Sequence, residues 1–115
     1  MNNLIEREAM KFILNGRSFD TTTSSEVAIS RGAYTPEQWD GDYPGAAQVR
    51  YERILFRTAK SAFFVHDHET VKYPKGKPVV SDEARELSLE EAIKWIESQG
   101  AAVIDASGLP LPDEA

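Results

Sequence analysis

The chain has 115 residues, no cysteine, and 13 basic against 19 acidic side chains, for a formal net charge of -6. A domain of this length buries roughly 65% of the surface its unfolded chain exposes, enough for one core but too little for a large enclosed active-site cavity. Disulfides, thiolate chemistry and every cysteine-based zinc site are excluded, while the acidic excess repels a phosphate backbone at long range and favours basic partners.

Residues 1–10 have neither a long apolar core nor a small-residue cleavage site, so a secretory leader is not expected, and Met10 is a candidate alternative start. No apolar run approaches the roughly 20 residues of a membrane helix. Lys11 to Leu14, then Asn15-Gly16, then Arg17-Ser18-Phe19 read as strand, tight turn and strand. Asn-Gly is the strongest short hairpin signal, because a type I′ turn needs positive φ at both central residues. The run Asp20-Thr21-Thr22-Thr23-Ser24-Ser25 offers side-chain oxygens to the local backbone and favours a turn or a helix N-terminus. Val27, Ala28 and Ile29 then fit either a short helix or a strand, and residues 21–31 stay open between the two.

A Gly/Pro/Asp-rich loop follows, holding one helical turn after Thr35-Pro36. It is aromatic and acidic together: Glu37, Trp39, Asp40, Asp42 and Tyr43 make a candidate partner-binding patch, since aromatic residues are enriched at interface hot spots. The alternative use of Trp39 is to anchor the loop to the edge of the core.

Between Tyr51 and Glu69, two apolar runs of period two flank a polar turn around Thr58 to Ser61, a hairpin expected at the centre of the sheet. Alternation sets Glu52, Ile54 and Phe56 on one face of its first strand and Tyr51, Arg53, Leu55 and Arg57 on the other. The expected result is one apolar face beneath the C-terminal helix and a mixed face carrying Arg53, Arg57, His66 and His68. His66-Asp67-His68 is the one metal-like constellation, because imidazoles at i and i+2 of a strand point the same way. A metal centre needs further ligands, and Glu52 and Glu69 are the nearest acidic candidates in sequence. No cofactor is expected.

Lys72, Lys75 and Lys77 sit among turn formers in an exposed loop, and Val79-Val80 either adds an edge strand or merely packs. Ser88 caps the best helix of the chain, Glu91 closes a capping box, Leu89, Ala92, Ile93 and Ile96 form its apolar stripe, and Gly100 stops it. Residues 101–104 suit a short strand. The expected organisation is a flexible extension over residues 1–10, one domain over 11–105 and a disordered tail over 106–115. The expected fold is α+β: a small antiparallel sheet of about four strands from two hairpins, with the C-terminal helix packed on one face.

Lys11-Phe12 with Leu14-Asn15-Gly16 and Phe19-Asp20-Thr21, Leu55-Phe56-Arg57-Thr58 with Phe63-Phe64, and Leu87 to Ala92 with Trp95 together resemble a loose family of short uncharacterised proteins of bacteria, phages and mobile elements. The chain departs from that pattern at Ser61, where a turn glycine is common, and at His66-Asp67-His68. The resemblance implies, by association, an anti-CRISPR-like inhibitor in the cytoplasm of a bacterial host. Such a protein is a non-enzymatic binder that occupies a basic surface of a larger protein, such as a nucleic-acid-binding defence complex. Two other classes stay open: a small metal-dependent or hydrolytic enzyme centred on His66 and His68, and a nucleic-acid binder using Arg53, Arg57 and the Lys72 to Lys77 loop.

Overall fold

The computed structural model describes residues 9–36 and 47–110. Seven strands and one helix follow in order: β1 (Lys11–Leu14), β2 (Arg17–Asp20), β3 (Ser25–Tyr34), β4 (Gln48–Arg57), β5 (Phe63–Lys72), β6 (Val79–Leu87), α1 (Leu89–Gln99) and β7 (Ala102–Val103). β1 and β2 form a separate hairpin, and the other five strands make one antiparallel sheet of order β6-β5-β4-β3-β7. The expected sheet of about four strands from two hairpins is therefore corrected to five strands plus a stacked hairpin.

The open segment resolves as strand β3, which pairs with β4 along its whole length. A bulge between Glu26 and Ala28 leaves Val27 out of the ladder, so Val27 and Ala28 both turn into the same core. The carbonyl of Val27 is taken up instead by the amides of Ile104 (2.7 Å) and Asp105 (3.2 Å), just after β7. The edge strand left open at Val79-Val80 is formed, and it runs on to Leu87 as β6. Its Ser81-Asp82-Glu83-Ala84-Arg85-Glu86 run lacks apolar alternation, as suits an edge strand kept soluble by charge.

The turns and caps follow the residues that encode them. Asn15 and Gly16 both take positive φ, 52° and 76°, as a type I′ turn demands. Ser88 accepts the amide of Glu91 at 3.1 Å while the Glu91 carboxylate accepts the amide of Ser88 at 2.9 Å. Gly100 closes α1 in the left-handed conformation.

The sheet is buried on both faces, and this corrects the expectation of a single apolar face beneath the helix. On one face Leu55, Phe63, Val65 and Leu87 pack with Ala92, Trp95 and Ile96 of α1. On the other, Ile54, Phe56 and Phe64 pack with Phe19 under the β1–β2 hairpin. Ile54 and Phe56 thus lie away from α1. Fully burying a side chain such as Phe19 stabilises by roughly 1.5–3 kcal/mol, so the small hairpin contributes to the core like a third layer. The stripe of α1 is also rotated from expectation: Ala92, Trp95 and Ile96 are buried while Leu89 is 42% exposed. The spacing i, i+3, i+4 from Ala92 selects Trp95 as its centre.

Beyond β7, Leu109 is buried in the helix-side core and Arg57 donates to the carbonyl of Ser107. At the other end, the Thr21 amide donates to the Met10 carbonyl at 2.9 Å, extending the first hairpin by one residue. Among the described residues, no helix is long and apolar enough to cross a membrane.

Ten-residue strands span roughly 33 Å, whereas the 11-residue helix covers only about 16 Å. The helix and hairpin both cover the half of the sheet near the β4–β5 turn. The other half, with Arg31 to Tyr34 on β3, the start of β4, the end of β5 and the start of β6, extends beyond them.

Candidate functional site

Antiparallel register converts the sheet into rows of side chains that run across four strands. One row on the hairpin side is Arg31, Glu52, His68 and Asp82, and the row beside it on the same face is Ile29, Ile54, His66 and Ala84. His66 and His68 therefore share the face of Ile54 and Glu52. They do not share that of Arg53 and Arg57, which corrects the expected mixed face.

The two histidines converge on one carboxylate oxygen. Asp82 Oδ1 lies 2.8 Å from His66 Nε2 and 2.7 Å from His68 Nδ1. An ionised carboxylate only accepts, so each facing ring nitrogen carries its hydrogen and both donate to the same atom. Burial pushes the Asp82 carboxyl upward, but hydrogen bonds from His68 and His66 outweigh it and hold the group below its ordinary value. His66 is buried, with the Phe12 ring 5.1 Å away, whereas the His68 side chain is 45% exposed. Donor atoms of His66, His68 and Asp82 all lie within 4.8 Å of one another.

Asp82 is the member that sequence reasoning missed. It stands opposite His68 only because β5 and β6 pair in this register, and no local pattern encodes that. Of the two acidic residues expected to help, Glu52 sits beside His68 in the row and approaches Arg31 at 3.7 Å. Glu69 faces the other side of the sheet, in the row of Tyr51 and Ser81.

The arginines expected to form a basic face are separated and occupied. Arg53 donates to Asp67 Oδ2 at 3.2 Å and to Gln99 Oε1 at 3.0 Å, and its guanidinium lies 4.0 Å from the Tyr51 ring centroid. Asp67 Oδ1 is buried without a hydrogen-bond partner among the described residues. Arg57 pairs with Asp105 at 3.3 Å near the β4–β5 turn. Lys72 lies at the opposite end of the hairpin, across from Gln48, so the lysine loop and Arg57 are roughly 30 Å apart along the strands. The nucleic-acid footprint sought in the sequence is not gathered into one patch.

A shallow cleft of about 540 Å³ opens between the first hairpin and the β4–β5 turn, lined by Lys11, Arg17, Phe19, Asp20, Thr58 and Lys60 among others. None of His66, His68 or Asp82 lines it.

The half of the sheet beyond the helix and the first hairpin has a different character. Tyr34, Val49, Val71 and Val79 form one apolar row across four strands on the helix side. Its outer members are exposed, Tyr34 by 48% and Val79 by 54%, whereas Val49 is buried and Val71 half-buried. Tyr51 stands beside this row, 6.2 Å from the Tyr34 ring, and lies over Gly32, where a Cβ would come within 2.7 Å of the Tyr51 hydroxyl. Glu69, Asp67 and Glu83 occupy the neighbouring positions on the same face. The sequence-derived patch of Glu37, Trp39, Asp40, Asp42 and Tyr43 lies outside the described residues.

No family model, no curated protein and no solved structure matches this chain.

Proposed function

We propose that the protein is a non-enzymatic binding module that docks on a basic surface of a larger protein through the half of the sheet left bare by the helix and the first hairpin. The observation that carries this reading is the apolar row of Tyr34, Val49, Val71 and Val79, open at both ends and bordered by Glu69, Asp67 and Glu83. Arg53 is neutralised by Asp67, so Glu69 and Glu83 leave a net acidic margin beside this apolar surface. That margin suits a partner with apolar anchors inside a ring of lysine and arginine, because complementary potentials steer encounter and set orientation. Glu37, Trp39, Asp40, Asp42 and Tyr43 follow Thr35-Pro36 after Tyr34 in the chain and carry the same aromatic and acidic chemistry. Blocking a host defence complex, the role implied by the mobile-element resemblance, requires only such occupancy and no reaction.

The test is capture from bacterial lysate by the wild type and three variants. A partner retained by the wild type and by Ile13→Ser, which alters an exposed residue of the first hairpin, should be lost with Tyr34→Ser/Val79→Ser and weakened with Trp39→Ala/Asp42→Asn. Equal recovery by all four chains would remove this face from consideration.

A further inference from the structure

We propose that His66, His68 and Asp82 form a binding site for a borderline divalent transition-metal cation of the zinc class, with one coordination position open to solvent. This site lies on the opposite face of the sheet from the docking row and stands independently of it.

Two adjacent strands alone build the donor set. Alternation along β5 places His66 and His68 on one face, and register with β6 sets Asp82 directly across from His68. Mutual orientation is thus fixed by backbone ladders rather than by a loop. In tetrahedral zinc sites with bonds of about 2.0–2.2 Å, neighbouring ligand atoms lie about 3.3 Å apart. The two imidazole–carboxylate approaches, 2.8 and 2.7 Å, are somewhat shorter than that. Replacing the two shared hydrogens by an ion therefore opens the cluster by roughly half an ångström, which small side-chain rotations supply.

The donor types select the metal. Two imidazoles and one carboxylate suit zinc, cobalt, nickel or copper, whereas magnesium and calcium seek oxygen-only shells. Three protein ligands leave a fourth position free, as in zinc centres that exchange a water or a small ligand. The surroundings are asymmetric in the same sense. Phe12 packs against buried His66 on the inner side, while His68 reaches solvent on the outer side. An ion enters past His68 and keeps its free position there. Glu52, beside His68 on the same face, adds negative charge to the approach.

The experiment titrates the full, untagged chain with zinc chloride by calorimetry, with magnesium and calcium chlorides in parallel, and records imidazole nitrogen resonances. One equivalent of zinc should bind, magnesium and calcium should not compete, and His68→Ala and Asp82→Asn should each weaken zinc by at least about tenfold with unchanged circular dichroism. In the wild type, zinc should move His66 Nε2 and His68 Nδ1 from the hydrogen-bearing to the metal-bound range. Absence of a saturable equivalent, full affinity in both variants, equal binding of magnesium, or unmoved imidazole resonances would each overturn the site. The nitrogen measurement uses the wild-type chain alone, so it decides the matter even if a variant fails to fold.

Discussion

Ser61 holds φ at 63° in the turn between β4 and β5, a conformation in which a side chain meets the following carbonyl at a cost of roughly 1–2 kcal/mol. The turn survives because the Ser61 amide donates to the Thr58 carbonyl at 2.9 Å and the Ala62 amide to the Thr58 hydroxyl at 3.0 Å. Ser61→Gly should therefore raise stability by about 0.5–1 kcal/mol, seen as a higher urea midpoint at constant slope; a lowered midpoint would show that the serine hydroxyl compensates for its backbone. The same distinction between local and distant information separates the members of the histidine cluster. His66 and His68 were legible as a pair because spacing of i and i+2 is a property of one strand. Their carboxylate partner was not, since Asp82 follows His66 by 16 positions and meets it only through strand pairing.

Helix α1 was read almost entirely from its ends, and the cap carries a pH dependence. Hydrogen bonding to Ser88, its backbone N–H foremost, holds the Glu91 carboxyl below its ordinary value. A depressed folded-state pKa stabilises the protein above the unfolded-state value, and that contribution is lost as pH falls through the lower, folded value. Wild-type stability should thus decline on acidification from the ordinary glutamate range downward, and Glu91→Gln should flatten that part of the curve in thermal melts between neutral and acid pH. Ser88→Ala removes the hydroxyl acceptor and should cost about 1 kcal/mol at neutral pH. The layers were less legible than the caps. Alternation in β4 and β5 correctly separated Ile54 from Leu55, but both faces are buried, and no period within one strand tells which layer covers which face. Only the Val79-Val80 start of β6 is legible as a possible edge strand, because charge protects the rest of it at the expense of apolar pattern. If the hairpin is a true third layer, Phe19→Ala should cost about 3–5 kcal/mol, comparable with Trp95→Ala, whereas Ile13→Ser, at a residue 71% exposed, should stay within about 0.5 kcal/mol of wild type. Equilibrium denaturation of the three variants decides whether both faces carry stability.

Across the whole molecule, length mismatch is the organising fact. Four long strands form a meander, a short helix and a shorter hairpin clamp one half of it, and the crossover through α1 returns the chain to the far edge at β7. The clamped half supplies folding energy, and the projecting half presents Tyr34, Val71 and Val79 on one face around the buried Val49. On the other face, at the margin of the hairpin, the histidine and aspartate donors meet. Net charge of -6 and the carboxylates bordering the apolar row bias that platform toward a basic partner. Association should accordingly slow several-fold between low and physiological salt, with dissociation changing less; stopped-flow mixing with the captured partner measures both. Hydrogen exchange of the chain, free and bound to that partner, tests the platform most directly. Protection on binding should concentrate in residues 31–34, 48–52, 68–72 and 79–82, with the β1–β2 hairpin and α1 unchanged. Protection confined to the hairpin or the helix, with the projecting half exchanging as in the free protein, would contradict the account.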